Sequence, residues 1–337
     1  MAGRSVDTRV ASLMRTNSPW CWTMTTGEAG MTNQALGLAE ALGWPGEHKT
    51  IGLRRPWRWL PAHRCPDVFS KLTADSDPVV PPWPDVLITS GRRSAGVSIA
   101  IRRASAGRTF TVHLQDPQIP PQYFDVVVPP RHDGLTGPNV LPTRGALHRV
   151  TAAKRAQAAE QQAARFAALP QPLVAVLVGG SNRHCRLTPA LSTTIGQQLR
   201  DLALTQGVGL AITPSRRTGS ENSAALRAAL GDVPHYFWDG SGDNPYFALL
   251  GLADTLLVTG DSASMVSEAC STGKPVYIID LPNYGRRLQV FPDELRREGV
   301  TRVFTGGPLA CWDYVPIDDT PHVAAYIRRL LVFDPYA

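Results

Sequence analysis

Nowhere in the 337 residues does an apolar run approach the roughly 18–20 positions needed to cross a bilayer. Residues 1–19 are polar with several arginines and lack the apolar core of a secretory signal, so they read as a loose tail. Cysteine is scarce: Cys21, Cys65, Cys185, Cys270 and Cys311 are odd in number, widely spread and never in a C-x-x-C pair. That speaks against a zinc site or a disulfide framework and for a reducing, cytoplasmic setting. No hard-metal cluster stands out, so no metal or cofactor is expected. No nucleic-acid-binding motif stands out either, so no nucleic-acid partner is expected.

What is present is a chain long for one compact α/β domain and comfortable for two, with 43% apolar residues to build the cores. The net charge is +6, carried largely by arginine and often in pairs: Arg54/Arg55, Arg92/Arg93, Arg102/Arg103, Arg216/Arg217. Such a balance fits phosphate-bearing ligands or an anionic membrane face.

The stretch Leu256 to Asp280 organises the rest. An apolar run ends at Val258 in a Gly-Asp-Ser turn, as a buried strand entering a loop does. Asp261 or Ser262 can cap the helix that follows; Gly273 and Pro275 stop it, and Val276 to Ile279 read as the next strand. This is one right-handed crossover of a parallel sheet. Met265, Val266, Ala269 and Cys270 share the helix face that can pack on the sheet. Asp261, Ser264 and Glu268 share the other, near the helix start, where open α/β sheets bind ligands. A carboxylate there can accept sugar hydroxyls; the alternative is a solvated surface residue.

In chain order, Trp20 to Thr26 reads as a first strand, then a turn with Gly27, Glu28 and Gly30, then a helix ended by Gly43 and Pro45. Residues 54–61 interleave cations with aromatics (Arg55, Trp57, Arg58, Trp59). They suit a water–lipid interface, or a satellite cluster with arginine stems packed over the rings. Further strands are expected at Asp85–Thr89, Thr109–Leu114 and Phe124–Val128, with Arg92 in the turn after the first of these. An Ala/Gln-rich helix over 151–170 marks a boundary between a first domain, 20–150, and a second, 171–320. The second opens as the first does, with strand Leu173–Val178, then Gly179-Gly180-Ser181-Asn182-Arg183-His184. Strands at Gly209–Thr213 and His235–Trp238 follow, the former ending at Ser215-Arg216-Arg217. A last helix and tail, 321–337, is expected to pack back on the first domain. The architecture is therefore α/β, with two Rossmann-like doubly wound domains facing a cleft.

Gly179-Gly180-Ser181 after a strand, and Asp261-x-x-Ser264-x-x-x-Glu268 before Gly273-Lys274-Pro275, resemble the C-terminal domain of GT-B glycosyltransferases, in motif nearest the lipid II N-acetylglucosaminyl transferases. More closely, the chain resembles the mitochondrial fission Elm-type family. The matching pieces are Thr26-Gly-Glu-Ala-Gly, Gln34-Ala-Leu-Gly-Leu-Ala-Glu, His113-Leu-Gln-Asp-Pro, Gly145-Ala-Leu-His, Gly179-Gly-Ser-Asn and Ser215-Arg-Arg-Thr-Gly. The resemblance implies a nucleotide-sugar donor. Gly179, Gly180 and Ser181 would meet its diphosphate and Glu268 would hold the ribose, with Arg216 expected on the departing diphosphate and Asn182, Ser215, Asp261, Ser262 and Ser264 as further donor-binding candidates.

The lipid II enzymes carry a catalytic histidine in their first glycine turn; this chain has Met31 and Thr32 there. Glu28 instead looks like the glutamate of the lipid A Kdo transferases, the proposed base, with Asp116 or His113 as further candidates. Gly27, Gly30, Gln34 and Arg92 would shape the acceptor side, and an anionic face of the inner membrane is the expected partner surface. The expected function is inverting sugar transfer. Two other classes stay open: a nucleotide-sugar epimerase of the same fold, and a non-catalytic membrane adaptor.

Overall fold

The computed structural model describes residues 18–182, 185–282 and 286–331. The expected tail up to residue 17, Arg183 and His184 of the second glycine turn, and residues 332–337 lie outside the described residues. The chain forms two compact units. One runs to Arg149 and resumes at Asp318; the other is Val150–Ile317.

The first unit is built on five parallel strands, β1 (Cys21–Thr25), β2 (Gly46–Thr50), β3 (Val86–Ser90), β4 (Phe110–Leu114) and β5 (Val126–Val128), in the order β2-β1-β3-β4-β5. Period-two alternation sends its side chains to two faces. Cys21, Val86, Ile88 and Val112 meet Ala35, Leu38 and Leu42 of helix α1 (Ala29–Leu42) on one face. Trp22, Met24 and Leu87 meet Val97 and Ile101 of α2 (Ala95–Ala104) on the other. Gly43, at φ 70°, takes the left-handed position that ends α1, its N–H reaching the carbonyls of Ala39 and Glu40. Edge strand β2 is polar, and its one buried side chain, Lys49, lies over the Trp22 ring and donates to the Pro78 carbonyl at 3.0 Å.

The second unit carries six parallel strands: β6 (Leu173–Val178), β7 (Gly209–Pro214), β8 (His235–Phe237), β9 (Thr255–Thr259), β10 (Val276–Ile279) and β11 (Thr301–Val303). Their order is β11-β10-β9-β6-β7-β8. Helices α3 (Ala152–Gln162), α4 (Pro189–Gln206), α5 (Ser220–Leu230), α6 (Tyr246–Leu252), α7 (Ala263–Cys270) and α8 (Arg286–Arg297) belong to it. Val174, Val176 and Leu257 pack with Leu199 and Leu202 of α4 and Leu226 and Leu230 of α5. Ala175, Leu177 and Val258 pack with α6 and with Val266, Ala269 and Cys270 of α7. The chain then returns to the first unit, where α9 (Thr320–Leu331) sets Val323, Ala324 and Ile327 against α1. The Asp319 carboxylate accepts the N–H groups of Arg144 at 2.7 Å and Gly145 at 3.2 Å, fixing the returning segment.

Each sheet reverses direction of winding once, between β1 and β3 in the first and between β6 and β9 in the second. In open parallel sheets the crevice at such a reversal, beyond the carboxyl ends of the strands, is where ligands bind.

Candidate functional site

In the second unit that crevice is framed by the turns after β6 and β9. Gly179 and Gly180 are there because nothing larger fits. A Cβ on Gly179 would stand 2.1 Å from Asp261 Oδ1, and one on Gly180 would stand 2.0 Å from the Arg217 carbonyl oxygen. Asp261 binds the two turns together. Its Oδ2 accepts the Gly180 N–H at 3.0 Å and faces Arg217 Nη2 at 2.7 Å, while Oδ1 accepts the Thr259 hydroxyl at 2.7 Å. The carboxylate is fully buried, at 0% exposure. This corrects the sequence expectation, in which Asp261 stood on an open helix face to receive a ligand; its lone pairs are spent inside the fold.

The neighbouring polar residues also hold the turns. Ser181 Oγ donates to the Leu187 carbonyl at 3.2 Å, and Asn182 Nδ2 donates to the Asp261 carbonyl at 3.2 Å. Ser215 Oγ donates to the Gly179 carbonyl at 2.9 Å, which ties the β7 turn to the β6 turn. Ser262 caps α7 by accepting the Met265 N–H, and Ser264 is half-buried on the first turn of that helix. Of the paired arginines, Arg216 is exposed, whereas Arg217 meets Asp261 with 37% of its side chain still open.

For Glu268, burial removes the surface-residue alternative. This glutamate is not on a solvated face: it is 5% exposed, and the Tyr246 hydroxyl, from the start of α6, donates to its Oε2. Burial pushes the Glu268 carboxyl up to about 7, and the Tyr246 bond pulls against that by favouring the charged form. The sequence marked Asn244-Pro245-Tyr246 only as a helix start. Lys274, from the Gly-Lys-Pro motif, is directed to the carboxyl end of α6, where Nζ donates to the Gly251 carbonyl at 2.6 Å. Burial lowers its ammonium to about 8.

In the first unit the reversal brings together the turns after β1 and β3. Glu28 stands just before α1; its Oε2 accepts the Thr26 hydroxyl at 2.5 Å, and its Oε1 faces Arg93 Nη1 at 3.6 Å. Gly27 takes φ 85°, and Gly30 lies in the first turn of α1. Arg93 is the basic neighbour of Glu28. Arg92, expected on the acceptor side, directs Nη2 to the Arg58 carbonyl at 3.4 Å. Gln34 is buried and accepts from Gln115 Nε2 at 3.2 Å, so it braces α1 and is not open to an acceptor.

The further base candidates separate. Asp116 is half-buried, and its Oδ1 accepts the Gln118 N–H at 2.7 Å within the turn after β4. His113 belongs to the core. It is fully buried, bonded through Nδ1 to the Thr89 hydroxyl at 2.8 Å and stacked on Phe124, and burial lowers its imidazole to about 3. It cannot serve as a base for a bound substrate, because β4 points it into the packing between sheet and helix. Arg55 and Arg58 set their guanidinium groups over the Trp59 ring, with Trp57 half-buried beside them. Among the described residues no group of three His, Cys, Asp or Glu is placed to hold a metal. Asp75-Ser76-Asp77 has Asp-x-Asp spacing, but Asp77 accepts the Thr50 N–H.

Two parallel-sheet α/β units with a glycine turn after the first strand of the second unit define a GT-B-like fold. A sequence model of the family described as mitochondrial fission ELM1 matches residues 29–331, and the chain belongs to that family. The mitochondrial fission protein ELM1 of Arabidopsis thaliana is 31% identical, over 90% of this chain and 89% of that one. Among solved structures, a UDP-GlcNAc 2-epimerase from Methanocaldococcus jannaschii, in complex with UDP-GlcNAc and UDP, superposes with a TM-score of 0.55. It is 11% identical, over 92% of this chain and 99% of that one. The spinosyn forosaminyltransferase SpnP gives a TM-score of 0.50 at 13% identity, over 94% and 95%.

Proposed function

We propose that the second unit binds a nucleoside-diphosphate sugar and that the protein transfers its sugar, with inversion, to an acceptor hydroxyl. The observation that carries this reading is Glu268: a buried carboxylate one and a half turns along α7, the helix that follows β9 at the reversal of the sheet. A carboxylate held in this way can accept two ribose hydroxyls, a stronger pairing than neutral acceptors give. The M. jannaschii neighbour, which holds UDP-GlcNAc and UDP in the same fold, supports this ligand class.

In this reading Arg216, Arg217 and helix N-termini meet the diphosphate charge as the bond to the sugar breaks, with no metal required. Glu28 takes the acceptor proton. The test begins with binding of a panel of nucleotide-sugars by calorimetry. One class should bind, and Glu268→Gln should weaken it by about 1–3 kcal/mol. Glu28→Gln should leave that affinity unchanged and cut turnover by ~10²–10⁴ once an acceptor is found. Epimerised donor without any transfer would replace this reading with an epimerase, and absence of binding by every donor would overturn it.

A further inference from the structure

Residues 53–72 make a closed excursion from the first unit. Leu53 and Leu72 pair as an antiparallel bridge at its neck, and Arg54 doubles the closure with its N–H on the Lys71 carbonyl and its Nε on the Leu72 carbonyl, at 2.7 Å. Its descending limb is anchored. Val68 is buried in the core, and Phe69 stacks on Trp83 with ring centroids 5.6 Å apart. The other limb, a short 3-10 turn Trp57–Trp59, is not absorbed by that anchoring. Trp59 remains 58% exposed and Leu60, next to it, 40%.

The surroundings of this tip are basic. Between residues 51 and 72 stand Arg54, Arg55, Arg58, Arg64 and Lys71 against the single carboxylate of Asp67. The guanidinium groups of Arg55 and Arg58 flank the Trp59 ring at 5.7 and 5.0 Å without covering it. Of the other exposed large apolar side chains of this unit, Trp20 immediately precedes β1, at the opposite end of the sheet, and Val80 lies in the segment before β3. Two adjacent apolar side chains are too few for a stable protein interface, which needs about 800 Å² from each partner around a continuous apolar centre. They are enough for shallow insertion at a bilayer surface, with the ring at headgroup level and the arginines on lipid phosphates.

We infer that the Trp59–Leu60 tip, with its arginine rim, docks the first unit onto an anionic lipid bilayer. Because the neck and anchored limb already fix the loop, docking orders little additional chain. Arg92, in the turn after β3, holds the loop through the Arg58 carbonyl, so the loop rests on the turn whose Arg93 faces Glu28. The inference stands apart from the nucleotide-sugar reading, and its test does not involve a donor.

The test is co-sedimentation of the full chain with vesicles of phosphatidylcholine alone or doped with phosphatidylglycerol, at low and high salt. Binding is expected only to the anionic vesicles and is expected to be lost in high salt. Arg55→Gln with Arg58→Gln should lower the partition coefficient roughly 25-fold, about fivefold per cation. Trp59→Ser should lower it roughly tenfold, with the melting temperature unchanged because the ring is already largely in water. No sedimentation with anionic vesicles would overturn the inference. So would binding insensitive to Trp59→Ser, capture by polyglutamate in place of vesicles, or a large fall in melting temperature in that variant.

Discussion

The buried Glu268 makes a prediction about pH that needs no knowledge of the substrate. Its carboxyl rises from 4.5 to about 7 on folding, first because burial withdraws it from water and against the pull of the Tyr246 hydroxyl. Below 4.5 both the folded and the unfolded chain carry the proton. Between 4.5 and 7 the folded chain keeps a proton that the unfolded chain has released, so stability falls as pH rises through this window. The gap corresponds to about 3 kcal/mol in all, at 1.36 kcal/mol for each pH unit. The perturbation is Glu268→Gln, which keeps the shape and can still accept the Tyr246 bond but does not titrate. Urea unfolding of the full chain is measured across the window, with amide exchange of β9 and β10 reporting the second unit. Variant and wild type should be about equally stable at the acid end, and the variant should lead by up to about 3 kcal/mol above pH 7. Tyr246→Phe should move the other way, extending the loss above 7 because the bond that favours the charged carboxylate is gone. A Gln variant whose difference from wild type stays flat across the window would refute the buried-carboxylate argument.

His113 should behave oppositely. Its imidazole is lowered to about 3, so the first unit should lose stability as pH falls below 6.5, and carbon chemical shifts should show it unprotonated at 6.5, where a free imidazole is half titrated. Gly180→Ala should cost about 3 kcal/mol, the upper end for overpacking, because the new Cβ meets the Arg217 backbone at 2.0 Å and backbone cannot rotate away. Gly207→Ala meets no atom within 4 Å, though its φ of 68° strains it, and serves as the comparison in thermal unfolding.

The elements that face inward were legible from periodicity. β6 is a continuous apolar run, β9 carries Leu256, Leu257 and Val258 between two threonines, and the buried side of α7 includes the expected Val266, Ala269 and Cys270. Among the elements not anticipated, β2, β11 and α8 have sequences that do not announce their type. β2 reads Gly-Glu-His-Lys-Thr and is a strand because it borders β1 at the sheet edge. β11 is a three-residue edge strand, and α8 sends Phe291 and Leu295 to the core but carries Pro292 inside it, which argues against a helix in the sequence. Within the candidate sites, the motifs located the turns but not the partners. Tyr246 lies 22 residues before Glu268, and a tyrosine at a helix start has no pattern that assigns its hydroxyl. The sequence singled out Arg216 and Arg92 from their pairs and gave no sign that Arg217 meets Asp261 or that Arg93 faces Glu28. Spacing alone does not decide which of two adjacent arginines meets a carboxylate.

Burial of Asp261 changes what the glycine turn can offer a ligand. In the isolated motif, Gly180 and the arginine pair read as a nest for an anion. In the folded chain the Gly180 N–H and Arg217 already hold a carboxylate, in a pocket with no exposure of its side chain. An incoming diphosphate therefore meets a turn whose nearest positive charge is largely neutralised. The groups left to it are the exposed Arg216, the open part of Arg217 and the first-turn N–H groups of α5, which no side chain caps among the described residues. Displacing Asp261 instead would leave a buried carboxylate without its donors, which costs about 3–5 kcal/mol. A donor bound in the proposed way thus depends less on the glycine turn than the motif suggests. In that proposal it depends more on the β7–α5 turn and on Glu268, which would hold the two ends of a nucleoside diphosphate, while the glycines let Asp261 lock the turns in place.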